Sequence, residues 1–198
     1  NTIVTTGTFD GLHRGHAKIV ERLVALAKEK GGESVLLTFD PHPRKILFPS
    51  LELKLLTLSE EKKNLLEQYG IDHLIIHPFN KVFSRKTAIE FVRDILVNRL
   101  HTKWLVIGHN HQFGRNREGT FENLKEYATL YGFDVEQVKP EMRERKEISS
   151  SKIRNALLTG DIKEATDFLG YHYSVTGMVV EGDHVGHELG FPTANLKP

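Results

Sequence analysis

Gly7-Thr8-Phe9-Asp10-Gly11-Leu12-His13-Arg14-Gly15-His16 sets the reading of the whole chain. A β-branched run at residues 2–6 precedes it and reads as a buried strand. Ile19, Leu23, Leu26 and Ala27 follow it three and four apart, the spacing of a helix with one apolar face. The stretch is therefore the turn between a strand and a helix start. Unpaired backbone N–H groups and the positive end of the helix dipole converge there, and both suit a phosphate. His13 and His16 fall on one side of the first turn, each able to donate a hydrogen bond to a phosphate oxygen. Gly7, Gly11 and Gly15 admit backbone or ligand where a Cβ would intrude. No Gly-Lys-Ser/Thr follows, so this is not a P-loop, and the glycine spacing is not that of a dinucleotide turn.

The alternation continues outward. Strands are expected at residues 34–39, 73–77, 103–107 and 134–138. Pro41 and Pro43 take the chain out of the sheet after the second strand, and residues 45–58 read as loop or short turns. Ser59 is expected to cap a helix reaching about Tyr69, with Gly70 as its stop. Residues 87–100 form a helix whose apolar stripe is Ile89, Val92, Ile95, Leu96 and Leu100. Further helices are expected at 121–131, from Ser149 onward, and from a cap at Asp161 to Leu169. The charged residues 139–147 lie between the fifth strand and the helix at Ser149. Strands alternating with helices predict a doubly wound, Rossmann-like α/β domain with a parallel five-stranded sheet. Its ligands belong beyond the carboxyl ends of the strands, where residues 7–16, 40–44 and 108–117 fall. From Tyr173 the pattern changes to an antiparallel strand and turn over 174–183, so one domain is expected at 1–170 and the start of another at 171–198.

The chain has 198 residues, 39% hydrophobic and 27% charged, an ordinary globular composition. Its formal net charge is +1 and it has no basic tract, which gives no support to a nucleic-acid partner. No run is long enough to span a membrane, and no signal-peptide pattern is present. With no cysteine, disulfides and thiolate metal sites are excluded, and the composition fits a reducing compartment, with a cytoplasmic location as the expectation. A start at Asn1 without Met and an end inside a motif at Pro198 suggest a piece of a longer protein.

The first stretch resembles the Gly-x-Phe-Asp-Gly-x-His-x-Gly-His signature of the adenylyltransferase module in bacterial bifunctional riboflavin kinase/FAD synthetases. Ile148-Ser149-Ser150-Ser151-Lys152-Ile153-Arg154 is similar to the Ile-Ser-Ser-Thr-x-Ile-Arg segment of the same enzymes, with Ser151 where Thr is frequent. Hydroxyls and free N–H groups at a helix start, with an arginine one turn on, make an anion nest. Gly108 to Gly119 resembles the family's Gly-x-Asp/Asn-Phe-x-Phe-Gly loop and the Arg-x-Gly that follows, with His111 in place of the first aromatic. Thr38-Phe39-Asp40-Pro41-His42-Pro43 resembles its Thr-Phe-x-Pro-x-Pro strand exit. Gly186 to Leu196 resembles the opening of the riboflavin kinase module, with His187 where Arg is frequent. These motifs occur in the family's order along essentially the whole chain.

The resemblance implies transfer of AMP from ATP to FMN, giving FAD and pyrophosphate, in a parent protein that also phosphorylates riboflavin. It implies catalytic roles for His13, His16, Asn110 and Arg154, and ATP binding by Gly7, Phe9, Asp10, Gly15, Ser149, Ser150 and Ser151. Flavin contacts are implied for Asp40, Pro41, Phe113 and Arg117, and kinase-module Mg²⁺ contacts for Thr193 and Asn195. ATP, FMN and riboflavin are the substrates and Mg²⁺ the cofactor. So short a piece of the second module cannot close a barrel, so kinase activity is not expected of this chain alone. Two other readings compete: a same-fold enzyme with another phosphate acceptor, such as a cytidylyl- or pantetheine-phosphate adenylyltransferase, and a non-catalytic metal-binding scaffold built on His13/His16 or His109/His111.

Overall fold

The computed structural model describes residues 1–143, 146–182, 185–191 and 193–197. Glu144, Arg145, Asp183, His184, Pro192 and Pro198 lie outside the described residues. Five strands form the main sheet: β1 (Thr2–Thr6), β2 (Glu33–Asp40), β3 (His73–Pro78), β4 (Thr102–Gly108) and β5 (Asp134–Val138). Their order is β3-β2-β1-β4-β5 and every pair is parallel. The chain runs outward from β1 through β2 and β3, then returns to place β4 on the other side of β1. The strand order therefore reverses between β1 and β4, and doubly wound sheets take their ligands beyond the carboxyl ends of the strands at such a point.

Both faces of this sheet are buried, because side chains alternate along each strand and helices cover either side. Val4, Leu37, Leu105 and Ile107 point to one face, where they pack with Val92, Leu96 and Leu124. Ile3, Leu36 and Val106 point to the other, against Leu23 and Leu26 of α1 (Arg14–Lys30) and Leu66 of α3 (Ser59–Glu67). The first face is covered by α4 (Ala88–Phe91), which widens into a π-turn over Val92–Val97, and by α5 (Phe121–Tyr131). A smaller cluster joins Leu56 and Ile148 to α6 (Ser150–Leu158) and α7 (Ile162–Leu169).

The local expectations hold closely for the five strands of the main sheet and for α5 and α7, whose caps Thr120 and Asp161 accept from backbone N–H groups of the first turn, while the strand expected within 174–183 is confined to Met178–Val180. Three details differ. Residues 45–58 include part of a short helix, α2 (Pro43–Leu47), whose N-cap His42 accepts from Arg44 N. Ser59 is not the cap of α3: Leu58 stands there, with its N–H bonded to Glu61 Oε2, while Ser59 Oγ donates to Asp40 Oδ2 across 3.2 Å. Ile89 is 39% exposed: the buried stripe runs through Ala88, Phe91, Val92, Ile95 and Leu96, three and four apart, so the small Ala88 takes the inner position assigned to Ile89.

In the charged segment after β5, β6 (Met142–Arg143) pairs antiparallel with β7 (Lys146–Glu147). Beyond Gly170, β8 (Met178–Val180) pairs antiparallel with β9 (Asn195–Lys197), and α8 (Val185–Glu188) lies between them. No helix among the described residues is long and apolar enough to cross a membrane.

Candidate active site

The loop from β1 to α1 turns through positive φ at Phe9 (47°), Gly11 (77°) and Leu12 (30°). A Cβ on Gly11 would lie 2.6 Å from Leu56 Cδ1, so this turn needs glycine for both conformation and room. His13 is the N-cap of α1, and its Nδ1 accepts from His16 N at 3.3 Å. That acceptance puts the proton of the neutral ring on Nε2, which leaves Nε2–H as a donor. The His13 and His16 rings stack with centroids 3.7 Å apart and planes 14° apart, and Phe9 flanks His16 at 5.2 Å. Burial pushes His13 down to about 4, against a smaller upward pull from a backbone hydrogen bond and from Asp10. Burial also lowers His16 well below the ordinary histidine value, with the charges of His13 and Lys62 adding to it. His16 Nδ1 is buried with no hydrogen-bond partner among the described residues. Two neutral imidazoles thus stand at the N-terminus of α1.

Asp10 is buried under this turn, and its two carboxylate oxygens are fully engaged. Oδ1 accepts from Leu56 N at 2.9 Å and Thr57 N at 3.2 Å, and Oδ2 accepts from Arg154 Nη2 at 2.5 Å. Arg154 also donates from Nε to Lys54 O at 2.8 Å. Ser150 Oγ donates to Asp10 O at 3.0 Å, while Ser149 Oγ caps α6 by accepting from Lys152 N. Ser151 is exposed. The N-terminal turns of α6 are therefore fastened to the β1 loop, with Arg154 turned toward Asp10. On its outer side Arg154 borders an open cavity of about 290 Å³ shared with Arg44, Leu51, Lys54 and Ser151.

Residues beyond those named from the sequence join the site. His42 is buried after β2 and is held at about 4, mainly by burial, with Asp10 opposing and Arg154, Lys62 and Arg44 adding. Lys62 reaches from α3 to donate to Thr8 O at 2.8 Å, and burial lowers its pKa. His42 stood inside the quoted strand exit, whereas Lys62 carried no motif signal beyond its place in the first turn of a helix.

The β4 exit divides its residues. Asn110 is exposed and donates to Glu147 Oε1 on β7 at 2.5 Å. Phe113 is buried against Phe91 at 5.7 Å and carries the His111 ring stacked at 5.7 Å. Burial lowers His111 to about 4. Arg117 is exposed, at φ 61°. Asp40 and Pro41 are exposed at the end of β2. Beside them Phe39, quoted in the strand exit, joins an aromatic wall with Phe79 and Phe83, which carried no motif signal: the three rings lie 5.6–5.7 Å apart, and His77 lies 4.4 Å from Phe83. In the C-terminal segment Thr193 and Asn195 are exposed, and a Cβ on Gly186 or Gly182 would strike them.

A doubly wound sheet with a stacked histidine pair at its first helix is the architecture of a nucleotidyltransferase-type α/β protein. Residues 1–152 match the family model described as FAD synthetase, and residues 169–198 match that of riboflavin kinase. The chain belongs to the FAD synthetase family. It is similar to bifunctional riboflavin kinase/FMN adenylyltransferases from Listeria monocytogenes (35% identity, 100% of this chain and 62% of the relative) and Buchnera aphidicola (34%, 99% and 63%). The Escherichia coli protein of that name is 33% identical over 98% of this chain and 62% of its own length. A solved structure titled as a macrolide-efflux protein from Streptococcus pneumoniae superposes with a TM-score of 0.88 at 33% identity, over all of this chain and 64% of that one. The chain thus spans less than two thirds of the length of the relatives it matches.

Proposed function

We propose that this chain transfers AMP from ATP to FMN, giving FAD and pyrophosphate. The observation that carries the reading is the neutral, stacked His13–His16 pair on the N-terminus of α1, at the point where strand order reverses. An FMN phosphate oxygen attacks the α-phosphorus of ATP, the bond to the bridging oxygen breaks, and pyrophosphate leaves opposite. No covalent enzyme intermediate is needed, so the protein's work is positioning and charge stabilisation. The Nε2–H of His13 and the ring of His16 would meet the oxygens on which charge grows, together with the first N–H groups of α1. Gly7, Phe9, Asp10 and Gly15 shape this cradle. A Cβ on Gly15 would lie 3.3 Å from the His13 ring.

Ser149, Ser150, Ser151 and Arg154 at the start of α6 are proposed for the departing pyrophosphate, and Asn110 for orienting phosphate. The flavin is proposed at Asp40, Pro41, Phe113 and Arg117, next to the aromatic wall of Phe39, Phe79 and Phe83. The described residues contain no group of three His, Cys, Asp or Glu that could hold a metal, so Mg²⁺ is proposed to arrive with ATP as part of the substrate.

The boundary between modules is proposed at Gly170, and the parent protein is proposed to phosphorylate riboflavin. Thr193 and Asn195 offer uncharged oxygens there, which suit Mg²⁺ once phosphate oxygens complete its shell. The cytoplasm is the proposed compartment, in keeping with a cysteine-free chain. Incubation with FMN and Mg·ATP, with FAD and pyrophosphate followed by chromatography, tests the reading. Absence of FAD under conditions where ATP binds would point to another acceptor.

A further inference from the structure

Lys62 lies in the first turns of α3, half-buried against the β1 loop. Its ammonium donates to Thr8 O at 2.8 Å, which is its one hydrogen-bond partner among the described residues. An ammonium has three donors, so two remain unused in a partly desolvated place. Asp10 and Asp40 face it as counter-charges, yet among the described residues neither carboxylate hydrogen-bonds it: Asp10 holds Arg154, Leu56 N and Thr57 N, and Asp40 accepts from Ser59. A half-buried cation with idle donors is completed by an anion. His16 Nδ1, buried without a partner, is a second unsatisfied group within reach of this charge.

The position matters as much as the charge. Lys62 acts electrostatically on His16 at the β1 exit and on His42 at the β2 exit. It therefore stands between the loop that cradles the nucleotide phosphates and the strand end beside the aromatic wall. Adenylyl transfer must press one phosphate against another, and their repulsion is strongest where water is excluded. Arg154 directs its charge to Asp10 and Lys54 O, whereas Lys62 keeps donors free.

We propose that Lys62 is a further substrate-binding residue of the transfer, whose ammonium draws the phosphate of the flavin acceptor toward the α-phosphate held at His13 and His16. The inference rests on the adenylyl-transfer reading and adds to it a residue that selects a phosphorylated acceptor.

The test compares Lys62→Met, which keeps the length of the stem, with Lys62→Arg, which keeps the charge. In the Met variant kcat/KM for FMN should fall about 100-fold, the effect of losing one charged donor to the reacting group. The Arg variant should recover to within about tenfold. Flavin-fluorescence titration separates binding from fold: FMN affinity of the Met variant should drop about tenfold. Riboflavin affinity and melting temperature should stay unchanged. Unaltered kcat/KM for FMN, or equal losses for FMN and riboflavin, would overturn the proposal. If the unsubstituted chain makes no FAD, the adenylyl-transfer reading fails. The titration then decides Lys62 alone: a lost preference for FMN over riboflavin supports it, and an intact preference overturns it.

Discussion

The guanidinium of Arg154 and the carboxylate of Asp10 meet 2.5 Å apart, with side chains only 12% and 2% exposed. They lie 144 residues apart in sequence, so the pair fastens the end of the domain to its first loop. Asp10 also receives two backbone N–H groups from the segment ahead of α3. One carboxylate thus ties together α6, that segment and the loop between β1 and α1.

Asp10→Ala should be among the most damaging substitutions in the chain. It leaves Arg154 buried without its counter-ion and two N–H groups unpaired. Breaking such a pair costs about 3–5 kcal/mol. Urea unfolding should show a loss of that size, and adding Arg154→Met to Asp10→Ala should restore part of it. A loss below about 1 kcal/mol would mean the pair is solvated in solution.

His16→Ala should leave the fold standing and remove the chemistry. The ring sits at the N-terminus of α1, packed on His13 and Phe9. Turnover of FMN and Mg·ATP should fall by roughly two to three orders of magnitude, the range for one lost transition-state donor. Near-normal turnover would take the histidine pair out of the mechanism.

Stability should fall in mild acid. His13 and His42 are each held at about 4, against an ordinary value of 6.5. Between those values the unfolded chain binds more protons than the folded one, so stability rises with pH across that window. The contribution is complete above pH 6.5 and is lost as pH falls through about 4. Each residue accounts for up to about 3 kcal/mol. Denaturation midpoints at several pH values should show this slope, and His42→Gln should flatten it. A flat profile in the unsubstituted chain would contradict neutral buried rings.

Gly11→Ala tests the turn itself. The backbone sits at φ 77°, and the new methyl would lie 2.6 Å from Leu56 Cδ1. Left-handed strain and overpacking together should cost about 2–4 kcal/mol, read as a lowered melting temperature. Gly31→Ala, at φ 58° with nothing within 4 Å, should cost only about 1 kcal/mol.

Tyr171→Phe probes the join to the second segment. Tyr171 donates its hydroxyl to Gly11 O at 2.7 Å, in the middle of the loop between β1 and α1. Losing that bond should cost about 1 kcal/mol. A change in KM for ATP would reveal that the linker tunes the cradle, and an unchanged KM would confine the bond to stability.

Local signals in the chain determined the order and type of its elements. Strand runs, apolar spacing, and caps such as Thr120 and Asp161 act over a few residues, and so does the glycine turn before α1. The sequence also placed the chemistry at strand ends. Where it misled, at Ser59 and Ile89, a neighbour's side chain took the capping role or the packing chose the adjacent stripe through Ala88 and Phe91, which the spacing permits equally. What only the tertiary structure decided is which distant groups meet. The order β3-β2-β1-β4-β5 brings Lys62 to Thr8, Asn110 to Glu147 and Arg154 to Asp10. It also gathers Phe79 and Phe83 beside Phe39. No local periodicity encodes those meetings, because hydrogen bonds and charge pairs depend on distances that arise only once the sheet has ordered its strands.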